Sequence, residues 1–180
     1  MSDRQRRSLS STQFYEFRSR YAGRSRGNAE LILCQLANSE EIIGCSGVEV
    51  TTIFDSKIGG KTNGPLMPLM SNLAVSKQYR RLGIAEKLVQ EVERIVRYEW
   101  GYDACYLYVE KRNKSAVKLY QKLGYKKVWV DKEATTLLPS TDGQLQTSST
   151  TILCMKKKSI LMIFKQYYSS SLVSFVSSGG

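Results

Sequence analysis

At Gly83 the hydrophobic period of this chain switches from that of a strand to that of a helix. That switch limits the possible folds more than any other feature. Before it, Leu69 to Val75 is a compact strand candidate. After it, Ile84, Leu88, Val92 and Ile95 recur at helical spacing and predict an amphipathic helix reaching about Tyr98. The switch repeats downstream. Ala104 to Glu110 is rich in β-branched and aromatic residues, and Asn113 can cap a second helix that runs to Leu123 and stops at Gly124. Leu31 to Ala37 and Glu41 to Thr51 read as a strand pair turning at Asn38-Ser39-Glu40, and Lys126 to Asp131 and Thr150 to Lys156 read as two late strands. Strands and helices therefore interleave, which predicts an α/β class with one central sheet. A chain of 180 residues fits one domain.

Between these elements the chain is broken or biased. Residues 54–68 form a Gly/Pro-interrupted loop. The connection between the late strands, with Leu137-Leu138-Pro139 and Asp142-Gly143, is long for a hairpin and is a candidate functional loop. Residues 158–180 turn Ser-rich and are expected to be a poorly ordered tail. Residues 1–30 are a basic segment with one possible helix, marked by Phe14, Phe17 and Tyr21. Its Arg- and Ser-rich composition suits either an organelle-targeting segment or an amphipathic helix after a frayed end. No apolar run approaches the roughly 20 residues of a membrane span.

Chemistry is narrowed by the absence of histidine. Ser/His/Asp and Cys/His triads, His-ligated zinc and imidazole acid–base catalysis are all excluded. Cys34, Cys45, Cys105 and Cys154 form no C-x-x-C pair and sit in apolar stretches, as structural thiols do, so no metal is expected. The net charge of +11 is concentrated at residues 1–26 and at residues 111–132. Such surfaces favour anionic partners, whether nucleic acid, a phosphate-rich cofactor or an acidic protein. No nucleic-acid motif accompanies the charge.

Arg80-Arg81-Leu82-Gly83-Ile84-Ala85 lies where a strand gives way to a helix. A helix N-terminus offers unpaired amides and a positive dipole end, so this is a pyrophosphate cradle in physical terms. Alone, the pattern reads as readily as a helix entry with a glycine for steric relief. It is followed by Asn113-Lys114-Ser115-Ala116-Val117-Lys118-Leu119-Tyr120-Gln121-Lys122-Leu123-Gly124-Tyr125, and preceded by Asn72-Leu73-Ala74-Val75. In this order the blocks resemble the GNAT acetyltransferase family: its splayed strand, its R-x-x-G-x-G/A loop and its N-x-x-A-x-x-x-Y-x-x-x-G-[FY] helix. The likeness spans residues 31–157 and is greatest to the plant plastid branch.

The resemblance implies a single GNAT-type domain over residues 31–157, with a central mixed, mostly antiparallel sheet flanked by helices. It implies acetyl-CoA as co-substrate and an amine as acceptor: a protein N-terminus, a lysine side chain or, alternatively, a small amine. Backbone groups of Leu73, Ala74 and Val75 would hold the acetyl carbonyl and pantetheine arm. The amides of Arg81, Leu82, Gly83, Ile84, Ala85 and Glu86 would cradle the pyrophosphate. Asn113, Lys114 and Ser115 would lie along the coenzyme arm, and Tyr120 would protonate the departing thiolate. Without that block, Tyr120 reads as a core aromatic of its helix. Lys114, Lys118 and Lys122 share one helical face, either solvated or drawn to a phosphate.

The sequence departs from the family at two points. Many relatives carry Glu or His where this chain has Tyr108, and a phenol is a poor base at neutral pH. Glu110, two residues along the same strand, is a tentative base acting through water, and Glu49 is another. The family also opens with a strand and two helices, whereas 30 residues precede Leu31, so its first strand is expected to be missing. The plastid-like wording and the Arg/Ser-rich start imply a plastid location, with the cytoplasm as the alternative. A binding module that kept the fold and lost catalysis is the rival reading from another class.

Overall fold

The computed structural model describes residues 21, 28–37, 39–53, 64–139, 145–158 and 173–177. Strand β1 (Ala29–Leu36) turns into β2 (Ile42–Thr52), and β3 (Leu66–Val75) lies antiparallel on the far side of β2. A 3-10 turn, Lys77–Tyr79, leads to helix α1 (Ile84–Arg94), which continues as a π-helical turn, Ile95–Glu99. The continuation ends within a residue of the limit its apolar spacing predicts. Then come β4 (Ala104–Glu110), α2 (Lys114–Lys122), β5 (Lys126–Asp131), β6 (Thr135–Pro139), β7 (Leu145–Ser149), β8 (Ile152–Lys158) and β9 (Val173–Ser177).

The main sheet has the order β5-β8-β4-β3-β2-β1-β9, and every pairing is antiparallel except β3 with β4. That exception follows from connectivity. A helix joins β3 to β4, and a strand–helix–strand crossover returns the chain parallel. The expected α/β architecture with a mixed, mostly antiparallel sheet is the one observed.

Strand alternation gives the sheet two unlike faces. Val48, Met70, Cys105, Leu107, Val109 and Met155 turn to one side and join Leu88, Val89, Val92 and Tyr120 from the helices in the main core. Met67, Leu69, Tyr106 and Tyr108 turn to the other and pack with Trp129, Ile53 and Cys154. Tyr108 and Trp129 sit 5.8 Å apart, centroid to centroid. Lys156 lies 4.6 Å over the ring of Tyr106.

Leu66–Pro68, expected to end the Gly/Pro loop, instead open β3 and pair with β2. Two longer stretches also differ from expectation. The long connection before β8 holds a second sheet, the β6–β7 hairpin, paired from Thr135 with Ser149 to Pro139 with Leu145. Within residues 158–180, where an irregular tail is expected, Val173–Ser177 pair with β1 as an edge strand. In both, serine and threonine dilute the apolar signal, and backbone pairing rather than side-chain period defines the strand. The expected leader or helix of residues 1–30 and the family's first strand fall outside the described residues, apart from Tyr21 and residues 28–30.

Candidate active site

The register between β3 and β4 stops at Met70 opposite Leu107. Beyond it β3 runs on for Ser71–Val75 and β4 for Tyr108–Glu110, so the strands part and leave backbone groups facing a crevice. On its other edge β3 carries a bulge. Cys45 pairs with Ala74 and Gly47 with Ser71, so Asn72 and Leu73 together oppose Ser46. Asn72 takes φ 55°, a region asparagine tolerates better than most residues. Leu73, Ala74 and Val75 thus follow the bulge on the part of β3 that lies beyond its pairing with β4, beside the crevice. The Val75 carbonyl is already occupied, accepting from Arg80 Nε at 3.1 Å.

The turn into α1 uses left-handed backbone at Arg81 (φ 66°) and Gly83 (φ 79°). Gly83 makes no side-chain cap, and the first intrahelical bond is donated by Lys87 to its carbonyl. The amides of Ile84, Ala85 and Glu86 are consequently left for another acceptor. A Cβ on Gly83 would meet nothing within 4 Å, so the space in front of the turn is open. The residues present fit an anionic group such as a pyrophosphate.

Across the crevice, Asn113 caps α2 by accepting from the Ala116 amide at 3.2 Å, while Lys114 and Ser115 are exposed in its first turn. Lys122 pairs with Glu86 of α1 at 2.8 Å, tying the two helices together. Tyr120 is buried in the core cluster and meets Tyr125 edge to face at 5.8 Å. Burial, with a smaller contribution from Cys105, pushes its phenol up to about 12. It therefore stays protonated and can act only as a donor. Burial likewise pushes the Cys105 thiol up to about 12 and keeps it inert.

Beneath Tyr125 lies a feature the sequence reading missed. Glu93, on the buried side of α1, pairs with Lys157 of β8 at 2.8 Å. Burial raises its pKa against the lowering effect of Lys157. The Tyr125 hydroxyl faces Glu93 and Cys105 without a well-formed hydrogen bond. Glu93 follows Val92 and lies one turn beyond Val89, and that position inside the apolar stripe was the available signal.

The base candidates fare unequally. Arg112 donates to Glu110 from Nε (2.5 Å) and Nη2 (3.2 Å), and it holds the Glu110 carboxyl below its ordinary value. Glu110 is a weaker base for it. Glu49 lies opposite Leu69 and so shares the aromatic face of the sheet. Lys111, Arg112 and Lys114, with Ser149, Thr150 and Thr151, line a basic hollow where β4 leaves the sheet. Among the described residues no three His, Cys, Asp or Glu side chains converge as a metal site would require, and no helix is long and apolar enough to cross a membrane.

A family model described as the acetyltransferase (GNAT) family matches residues 3–125. The chain belongs to that family. Members take their acetyl group from acetyl-CoA. A chloroplastic GCN5-related N-acetyltransferase 4 of Arabidopsis thaliana is 35% identical over 72 residues, covering 40% of this chain and 24% of that protein. An N-alpha-acetyltransferase of Sulfurisphaera tokodaii is 41% identical over 59 residues, 33% of this chain and 35% of that protein. The matched stretches thus span about a quarter to a third of these relatives' lengths. A GNAT family acetyltransferase from Elizabethkingia anophelis with acetyl-CoA bound shares the fold at TM-score 0.55 and 17% identity, over 82% of each chain.

Proposed function

We propose that this GNAT member is an acetyl-CoA-dependent N-acetyltransferase acting on protein or peptide amines, the free N-terminal α-amine ahead of the lysine ε-amine. The observation that carries it is the parting of β3 and β4 beside an uncapped helix N-terminus, with a buried phenol on the helix that follows β4. In this reading the amides of Arg81 to Glu86 hold the pyrophosphate, and Asn113, Lys114 and Ser115 flank the coenzyme arm. Backbone donors of Leu73 to Val75 stabilise the oxyanion that forms as the amine lone pair attacks the carbonyl carbon, each well-aimed donor contributing ~3–4 kcal/mol. As the C–S bond breaks, Tyr120 gives its proton to the sulfur, the new amide's nitrogen loses one to water, and the phenolate regains a proton from water to close the cycle. The amine approaches from the face of Tyr106, Tyr108 and Glu49, opposite Tyr120.

The preference for an α-amine rests on the weak base. Glu110 is held by Arg112 and Tyr108 is a phenol, so an acceptor that is already neutral has the advantage. The similarity to proteins named N-alpha-acetyltransferase supports the same preference. Two peptides test it, one with a free N-terminus and one blocked there but carrying a lysine, each incubated with acetyl-CoA and followed by mass. Acetyl-CoA binding without turnover on either would favour a binding module instead. We also propose a plastid location, supported by the chloroplastic relative and the Arg/Ser-rich start. A fluorescent fusion confined to the cytosol would refute it.

A further inference from the structure

Tyr21 is buried, with 8% of its surface exposed, and its partners lie fifty positions away on the β3 bulge. Its hydroxyl is 2.9 Å from Ser71 Oγ and accepts from Asn72 Nδ2 at 3.1 Å. Asn72 Nδ2 also reaches Ser71 Oγ at 3.3 Å, which closes a triangle of three side chains. The strand opposite is shaped for the ring. A Cβ on Gly47 would lie 2.0 Å from the Tyr21 hydroxyl oxygen and 2.4 Å from the ring carbon that bears it. Tyr21 in this position therefore requires glycine at 47.

We propose that Tyr21 is a positioning residue that locks the β3 bulge and so aims the backbone of Leu73 and Ala74 at the acetyl carbonyl. The proposal rests on the reading of that bulge as the carbonyl site. Asn72 tolerates its left-handed backbone but does not demand it, and the tie from its amide to Tyr21 supplies the demand. Without it, a bulge can relax by one residue of register, and such a slip exchanges the two faces of the strand. Tyr21 approaches on the face of Gly47 and Ser71, whereas the missing Cβ of Gly44 points at Leu88 and Ile84 of α1. The lock thus lies across the sheet from α1 and makes no contact with the turn of Arg81 to Glu86. Its loss should spoil the aim of the donors while sparing coenzyme affinity.

Difference infrared spectroscopy with acetyl-CoA labelled at the carbonyl carbon reads this directly, because aimed donors move the thioester carbonyl stretch to lower wavenumber. The wild-type protein should show that shift. Tyr21→Phe, which keeps the ring, should lose at least about half of it, with acetyl-CoA affinity within about threefold and turnover down about tenfold. Gly47→Ala, which drives the ring off, should match it, and the double variant should be no worse than either single one. A full shift in folded Tyr21→Phe overturns the lock while leaving the carbonyl site standing. No shift in the wild type overturns the carbonyl site, and the lock with it. Should Tyr21→Phe fail to fold, Asn72→Gly keeps the left-handed backbone accessible while removing the amide tie to Tyr21, and an undiminished shift there is equally fatal.

Discussion

Gly83 allows the effect of backbone to be separated from that of charge. Its φ of 79° disfavours any L side chain, yet a Cβ there meets open space, so substitution costs conformation and not packing. Left-handed backbone costs about 1–2 kcal/mol outside glycine. At ~2–4 °C per kcal/mol for a chain of this size, Gly83→Ala should melt about 2–8 °C lower and still fold. Gly83→Asp should melt no lower than Gly83→Ala, because a carboxylate at a helix N-terminus is stabilised by ~0.3–1 kcal/mol. Binding should run the other way. A carboxylate about 4 Å from a phosphate is repelled by ~1–4 kcal/mol, from solvent-like to surface-like dielectric, which weakens acetyl-CoA by ~5- to 1000-fold. Raising the salt from ~0.05 to ~0.5 M should recover part of that loss for Asp but not for Ala. Calorimetric titration with acetyl-CoA, alongside thermal melts, supplies both numbers. Equal affinity for folded Gly83→Asp and wild type would refute the assignment of these amides to an anion.

Lys157→Met should destabilise the protein by about 3–5 kcal/mol, because Glu93 is left buried without its partner. Burial already raises the Glu93 pKa, and losing Lys157 raises it further, so the folded variant takes up a proton more readily than its unfolded chain. The deficit should therefore be largest at neutral pH and shrink as acid protonates Glu93; urea melts showing the same deficit at both ends would contradict this. Tyr120→Phe should lower turnover by ~100-fold or more with acetyl-CoA affinity kept, and a kcat unchanged by the loss of the hydroxyl would remove Tyr120 from the chemistry. With its phenol near 12, Tyr120 should impose no fall in activity between pH 7 and 10. Acetylation of an α-amine, with a pKa of about 7.7–8.0, should level off near pH 8, while that of a lysine near 10.4 keeps rising; a faster lysine peptide at pH 7 would reveal a strong base not yet identified.

The elements whose signal is local were readable from the sequence. Asn113 and Gly124 bracket α2 as cap and stop, and β4 and β5 match their predicted limits residue for residue. What escaped depends on partners far along the chain. β9 is defined by its pairing with β1, and the β6–β7 hairpin by a register between serine- and threonine-rich segments. Glu93 breaks the apolar stripe of α1 for a lysine 64 positions away. The site divides in the same way. The turn at Gly83 announces itself through glycine and the change of period, whereas nothing near Asn72 announces a bulge, because the residues that hold it are Ser46, Gly47 and Tyr21.

Without histidine, no side chain of ordinary pKa can take a proton from the amine and return it to the thiolate near neutral pH. The two faces of β4 suggest how the chemistry proceeds without one. Cys105, Leu107 and Val109 turn toward the helices, where Tyr120 lies dry and protonated. Tyr106, Tyr108 and Glu110 turn the other way, toward a half-exposed aromatic surface with Lys156 and Arg112 at hand. In the proposed mechanism the thiolate leaves on the first side and the amine arrives on the second, so the two proton transfers never share a group. Each can then be tuned independently. Burial can raise the phenol without making the amine side drier, and Arg112 can weaken Glu110 without touching the leaving group. The expected signature is two unlinked pH dependences: a basic limb set by the acceptor's own pKa, which shifts when an α-amine replaces a lysine, and a leaving-group step that Tyr120→Phe slows equally for both acceptors at every pH. If the fold-loss in Tyr120→Phe instead tracked the acceptor's pKa, one group would be serving both transfers, and the separation by strand parity would be wrong.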